Sequence, residues 1–174
     1  MDIRQVVFVC TGNVCRSPMA EYLLRRRLGR ASGWTVKSAG LAAAAGASAS
    51  WASVAVMREM GIDLTAHRSR PVTQALVDAA IVIVVMTASH RDQLRAVHPE
   101  AADRIHLLKS FDLTTTGWDI DDPMGLSIDV YRGIRDEINA AMPGLVAFLE
   151  RYELPESLRE GGWAWPLNAE GEDE

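Results

Sequence analysis

Cys10 and Arg16, with five residues between them in Cys10-Thr11-Gly12-Asn13-Val14-Cys15-Arg16-Ser17-Pro18, are the side chains best suited to chemistry in this 174-residue chain. A thiol attacks as its thiolate, a form that helix N-terminal amides and a neighbouring arginine both favour. An arginine grips two phosphoryl oxygens at once, and amide donors stabilise the charge of a phosphoryl transition state. Together these groups describe attack on phosphorus. Cys10 is the expected nucleophile and Arg16 the clamp, with Thr11, Gly12, Asn13, Val14, Cys15 and Ser17 lining the anion site. Ser17 is placed to donate to the Cys10 sulfur, and Gly12 is expected to permit the loop's sharp turn.

Cleavage toward an oxygen leaving group also needs an acid. A late polar segment supplies Asp119, Asp121 and Asp122, and Pro123 stiffens the backbone beside the last of them. Asp122 is therefore the expected proton donor, and afterwards the base for the water that hydrolyses a phosphocysteine. This scheme needs neither metal nor cofactor. Cys10 and Cys15 have no second ligand pair at zinc spacing, and His67, His90, His98 and His106 are scattered. A nucleotide-binding loop is a poor alternative, because that motif requires a lysine and the loop has none.

These residues need a scaffold, and the hydrophobic pattern supplies one. The apolar run Val6–Val9 lies in an expected buried strand over 4–9. The Ser-Pro pair suits a helix start with Ser17 as cap, and Ala20, Leu23, Leu24 and Leu28 mark the apolar face of a helix from Met19 to Leu28. A second strand covers 34–38 and ends at Ala39-Gly40, followed by an Ala/Gly/Ser-rich loop over 41–50. A helix over 51–60 has Ser50 as cap and Gly61 as stop, and the segment 63–71 is polar. A short helix over 73–79 leads into the all-apolar strand 81–85, then a helix over 89–97 and a strand over 104–108. After a long loop over 110–125, a last helix begins near Ser127, with a kink or restart expected at Pro143-Gly144.

Strands alternating with helices predict an α/β fold: a four-stranded parallel sheet in the order 2-1-3-4 with helices on both faces. The order reverses at the first strand, where ligands of such sheets bind, and the Cys10 loop follows that strand. One domain is expected over 1–153, followed by an acidic tail over 154–174 without fixed structure, where Trp163 and Trp165 could dock locally. The net charge of -5 argues against nucleic acid as a partner. No run approaches the roughly 18 apolar residues of a spanning helix. The expectations are no membrane partner and a cytoplasmic location, and both cysteines lie in the loop, which excludes a disulfide framework.

The stretch Val9 to Glu21, with Asp122-Pro123, Ser38-Ala39-Gly40 and the segment 61–67, resembles the low-molecular-weight protein tyrosine phosphatases over about residues 4–152. The resemblance implies a phosphorylated protein as substrate, Cys10 as nucleophile, Arg16 as clamp and Asp122 as general acid and base. It also implies that Asn13, Ser17 and His67 support the phosphate loop, although His67 alone would read as an exposed polar residue. Cys15 matches a second family cysteine that forms a reversible disulfide with the nucleophile, which would protect Cys10 from irreversible oxidation.

Two departures bear on the substrate. Met124-Gly125 stand where the tyrosine-directed enzymes carry aromatic residues, so Trp118 or Trp51 would have to supply the missing wall. The segment from Asp122 to Tyr131 is closer to the bacterial protein-arginine phosphatases, yet Val14 stands where those carry threonine. Phosphotyrosine is the reading adopted and phosphoarginine the alternative. Arsenate reductase shares fold and loop but needs further cysteines. A phosphoprotein-binding module would not need the full set of Cys10, Arg16 and Asp122.

Overall fold

A computed structural model describes residues 4–29 and 32–152. The expected tail at 154–174 lies outside them. Four strands, β1 (Arg4–Cys10), β2 (Trp34–Gly40), β3 (Val82–Val85) and β4 (Ile105–Leu107), form one parallel sheet in the order β2-β1-β3-β4. The helices are α1 (Arg16–Leu28), α2 (Trp51–Arg58), α3 (Gln74–Ala79), α4 (Ala88–Val97) and α5 (Ile128–Glu150), with short 3-10 turns at Pro99–Arg104 and Leu108–Phe111.

The alternation of side chains along β1 divides the core in two. Val6, Phe8 and Cys10 join Met19, Leu24, Val56, Ile138 and Met142 beneath α1, α2 and α5. Val7 and Val9 join Val77, Ile83, Leu94 and Ile105 beneath α3 and α4. Both faces are covered, which is why the central strands are apolar throughout instead of alternating. Among the described residues no helix is long and apolar enough to cross a membrane.

Three expectations change. α1 begins at Arg16, earlier than Met19, with Cys15 at the cap position and no side-chain cap bond. Ser17 therefore lies inside the first turn, and its hydroxyl is free to face the loop. α5 runs unbroken from Ile128 to Glu150 through Pro143. Packing explains the neighbouring glycine: a methyl group at Gly144 would stand 2.0 Å from the Phe111 carbonyl oxygen, so Phe111 can lie against the helix only because Gly144 has no side chain. Third, Gly12 does not make the loop's turn. Its φ is not positive, and a methyl group there would meet nothing closer than Val14 at 3.7 Å. Asn13 takes the left-handed conformation instead, at φ 55°.

Candidate active site

The Cys10–Arg16 loop leaves the C-terminal end of β1, inside the sheet, and turns at once into α1. The Cys10 sulfur is buried, with the Ser17 hydroxyl 3.0 Å away and the Asn13 amide donating to it at 3.3 Å. Both are donors that stabilise charge on sulfur.

Asn13 holds this arrangement with every polar atom it owns. Its Nδ2 donates to Ser17 Oγ at 2.9 Å and to Ser38 Oγ at 2.8 Å. Its Oδ1 accepts from Arg70 N at 2.9 Å, and its carbonyl lies 2.8 Å from His67 Nε2. Because Ser17 accepts from Asn13, its own proton is left for the Cys10 sulfur at 3.0 Å or the more distant Ala39 carbonyl at 3.4 Å, and a thiolate favours the sulfur. Ser38 donates in turn to the buried carboxylate of Glu21, which also pairs with Arg25. A positive φ at a residue other than glycine costs energy, and a buried, fully satisfied polar network offsets that cost.

His67 is buried, contrary to the exposed polar residue its sequence context suggests. The segment 61–71 folds in as Gly40 N donates to the Arg70 carbonyl at 2.9 Å and Val72 N to the Gly40 carbonyl at 3.0 Å. Gly40 is the glycine this site requires. A methyl group there would stand 2.5 Å from the Thr11 carbonyl oxygen and 3.0 Å from Asn13 N.

Arg16 is buried and meets the acidic segment. Its Nη1 donates to the Ile120 carbonyl at 2.9 Å, and its Nη2 lies 3.2 Å from Asp122 Oδ2. Its Nε is buried without a partner among the described residues. Asp122 is half-exposed at the rim. Asp119 is used differently: its Oδ1 accepts from Ala88 N at 2.7 Å, at the start of α4. Asp121 has no side-chain hydrogen bond or ion pair among the described residues. Val14 is half-buried, and its carbonyl accepts from Ser50 N at 2.8 Å, which ties the loop to the start of α2, whose first residue, Trp51, is exposed. The Cys15 thiol lies beneath the loop, 3.3 Å from Tyr131 Oη and 3.5 Å from Ser50 Oγ. Burial, with the Cys15 contact, pushes the Tyr131 phenol up to about 12. Both thiols are free, and no group of three or more potential metal ligands occurs among the described residues.

His90 is the site neighbour that sequence reasoning overlooked. Its ring, 5% exposed, places Nε2 2.9 Å from Thr11 Oγ1. The one available signal was position: it lies in the helix turn following β3, at the same sheet edge as the loop.

Burial, and then the positive charge of Arg16, lowers His90 to about 4, and burial also lowers His67 and His106. An imidazole lowered by folding takes up its proton earlier in the unfolded chain, so these groups favour the native state above about pH 6.5 and that advantage is lost as the pH falls below it, for His90 down to about 4. Urea unfolding at pH 7.5 and pH 4.5 should show His90 alone contributing a loss of about 2–3 kcal/mol. In the His90→Gln variant most of that difference should vanish; an unchanged pH slope would contradict a neutral buried ring.

A family model described as low molecular weight phosphotyrosine protein phosphatase matches residues 5–154. A protein-arginine-phosphatase from Geobacillus stearothermophilus is 42% identical over 146 residues, covering 84% of this chain and 96% of that protein. A probable low molecular weight protein-tyrosine-phosphatase, EpsP, from Ralstonia solanacearum is 39% identical over 121 residues, covering 70% of this chain and 79% of its own. The solved structure of YwlE arginine phosphatase from Geobacillus stearothermophilus superposes with a TM-score of 0.76 at 39% identity, covering 87% of this chain and 99% of that one.

Proposed function

This chain belongs to the low-molecular-weight phosphotyrosine protein phosphatases, cysteine-dependent enzymes, and from that membership we propose that it hydrolyses phosphotyrosine in proteins with Cys10, Arg16 and Asp122 as its catalytic residues. One observation carries the assignment of roles. A buried thiol with two donors aimed at it shares one loop with a buried arginine, whose Nη2 lies 3.2 Å from the only carboxylate it pairs with among the described residues, Asp122.

In the first step the Cys10 thiolate attacks phosphorus, the S–P bond forms and the bond to the tyrosine oxygen breaks. Protonated Asp122 gives its proton to that oxygen, so that neutral tyrosine leaves. Arg16 turns from Asp122 to the phosphoryl oxygens, and its unpartnered Nε is a donor that a bound phosphoryl group would satisfy. In the second step Asp122, now a carboxylate, takes a proton from water. The resulting oxygen attacks phosphorus, the S–P bond breaks, and phosphate and the Cys10 thiolate are released. Asn13, Ser17 and His67 keep the loop in shape, and Thr11, Gly12, Val14 and Cys15 complete the ring around the anion. Cys15, five residues from the nucleophile, is the partner for a reversible disulfide.

Val14 and Trp51 support the choice of substrate: an apolar residue inside the loop and an exposed indole next to Ser50 suit a flat aryl group. The 42% identity to a protein-arginine-phosphatase supports phosphoarginine as the second reading. Comparison of kcat/KM on phosphotyrosine and phosphoarginine peptides separates them. Phosphotyrosine should be preferred by at least about tenfold, and Val14→Thr, which adds a hydroxyl inside the loop, should move the ratio toward phosphoarginine. A wild-type preference for phosphoarginine would reverse the substrate assignment while leaving the catalytic residues in place.

A further inference from the structure

Outside the hydrogen bonds that shape the nucleophile loop, a second set joins the loop, the first turn of α4 and the acid-bearing segment into a closed ring. His90 Nε2 lies 2.9 Å from Thr11 Oγ1. Earlier in the same turn Ala88 N donates to Asp119 Oδ1 at 2.7 Å, and Ile120 N donates to the Met86 carbonyl at 2.8 Å. Arg16 closes the ring, with Nη1 on the Ile120 carbonyl and Nη2 beside Asp122.

We propose that His90 is a positioning residue for the reaction: by holding Thr11 to the first turn of α4, it sets the distance between the Cys10 loop and the segment that presents Asp122. The inference rests on the roles given above to Cys10 and Asp122.

The loop itself does not need His90 for its shape. Asn13 fixes it through Ser17, Ser38, His67 and Arg70, and Leu41 N and Ala42 N donate to the Cys10 and Thr11 carbonyls, each at 2.9 Å. Those bonds relate the loop to β2 and the 61–71 segment, on one side of β1. α4 and the acid segment lie toward β3, on the other side, and the Thr11–His90 bond spans that gap. Arg16 spans it too, but a guanidinium that must turn to grip phosphate cannot also keep the acid in register. Misplacing a catalytic group by about 1 Å can cost as much as 10²-fold in rate. His90 suits this task. It is buried and neutral, so its ring forms the Thr11 bond without placing a second positive charge near Arg16.

Losing the bond should weaken the proton-transfer step more than phosphorus attack, a split that general loss of structure would not produce. Phenyl phosphate, whose leaving group needs a proton, and 2,4-dinitrophenyl phosphate, whose leaving group does not, serve as the pair of substrates. His90→Ala and His90→Asn should lower kcat on phenyl phosphate by roughly tenfold or more and on the dinitrophenyl ester by less than about threefold. His90→Gln places an amide where Nε2 stood and should restore most of the loss, whereas asparagine is too short. Thr11→Val should show the same split, and adding His90→Ala to it should cost little more, because both remove one bond. Thr11 is exposed, so its variant tests the proposal even where His90→Ala does not fold. Equal losses on the two esters, no better activity with glutamine than asparagine, or additive losses would each overturn the role. Run in parallel, Cys10→Ser separates the two assignments. A dead Cys10→Ser with equal losses at His90 sinks the His90 role alone, while turnover that survives Cys10→Ser overturns the nucleophile and this role with it.

Discussion

Replacing Cys10 with serine should reduce phosphotyrosine turnover by at least about 10⁴-fold while the protein stays folded. The size of the effect follows from the attacking atom. A hydroxyl in this loop keeps the Ser17 and Asn13 contacts but remains overwhelmingly protonated near neutral pH, whereas a thiol readily loses its proton. The fold should tolerate the change, because the side chain is small and the strand beneath it is held by β2 and β3 on either side. Steady-state rates measure the loss. Acid quenching of the wild type during turnover should trap phosphate on Cys10, and the serine variant should still bind a phosphotyrosine peptide. Residual activity above about 1% of wild type would point to a different nucleophile.

The second large effect is expected at Asp122. Asparagine keeps its size and cannot give or take a proton, so Asp122→Asn should slow phosphotyrosine cleavage by about 10²–10³-fold and 2,4-dinitrophenyl phosphate cleavage by less than about tenfold. The structure adds a binding effect in the opposite direction. Asp122 competes with substrate for Arg16, at 3.2 Å from Nη2, and an amide competes less. KM for phosphotyrosine should therefore stay level or fall while kcat falls. A rise in KM without loss of kcat would make Asp122 a binding residue, and equal losses on both esters would remove it from proton transfer. Asp119 behaves differently, because its carboxylate is committed to Ala88 N at the start of α4.

The pairing of these two residues shows where sequence reasoning reaches. The Cys10-to-Arg16 spacing lies within one strand-loop-helix unit, and its chemistry was legible because every residue in it is local. Asp122 was singled out for another reason, that among three aspartates one precedes a proline, and the fold places that one beside Arg16. What distinguishes Asp119 from Asp122 in space, one turned to a helix end and the other to Arg16, has no counterpart in the spacing of the aspartates. The strands and their order followed from the apolar runs and the handedness of parallel crossovers. The misjudged details were ones in which a tertiary contact overrides a local preference. Ser17 and Pro18 look like a helix start, yet the helix begins earlier and the hydroxyl serves the sulfur. Pro143-Gly144 look like a kink or a restart, yet α5 does not restart there and its glycine makes room for Phe111.

The residue types and their spacing were enough to point to a cysteine-dependent phosphatase and to propose the groups for its reaction: a thiol, an arginine and an acid acting on a phosphoryl group at the switch point of a parallel sheet. Only the folded chain assigned the support. The left-handed turn belongs to Asn13 and not to Gly12, and its partners lie 25 residues away at Ser38, 54 at His67 and 57 at Arg70. Gly40 is a contact point for the loop, and His90 reaches Thr11 across 79 positions. Local chemistry can be read from sequence because covalent geometry holds neighbours together. A hydrogen bond between distant segments exists only after the sheet has brought them side by side, and serine, histidine and glycine look the same in the sequence whether or not that happens.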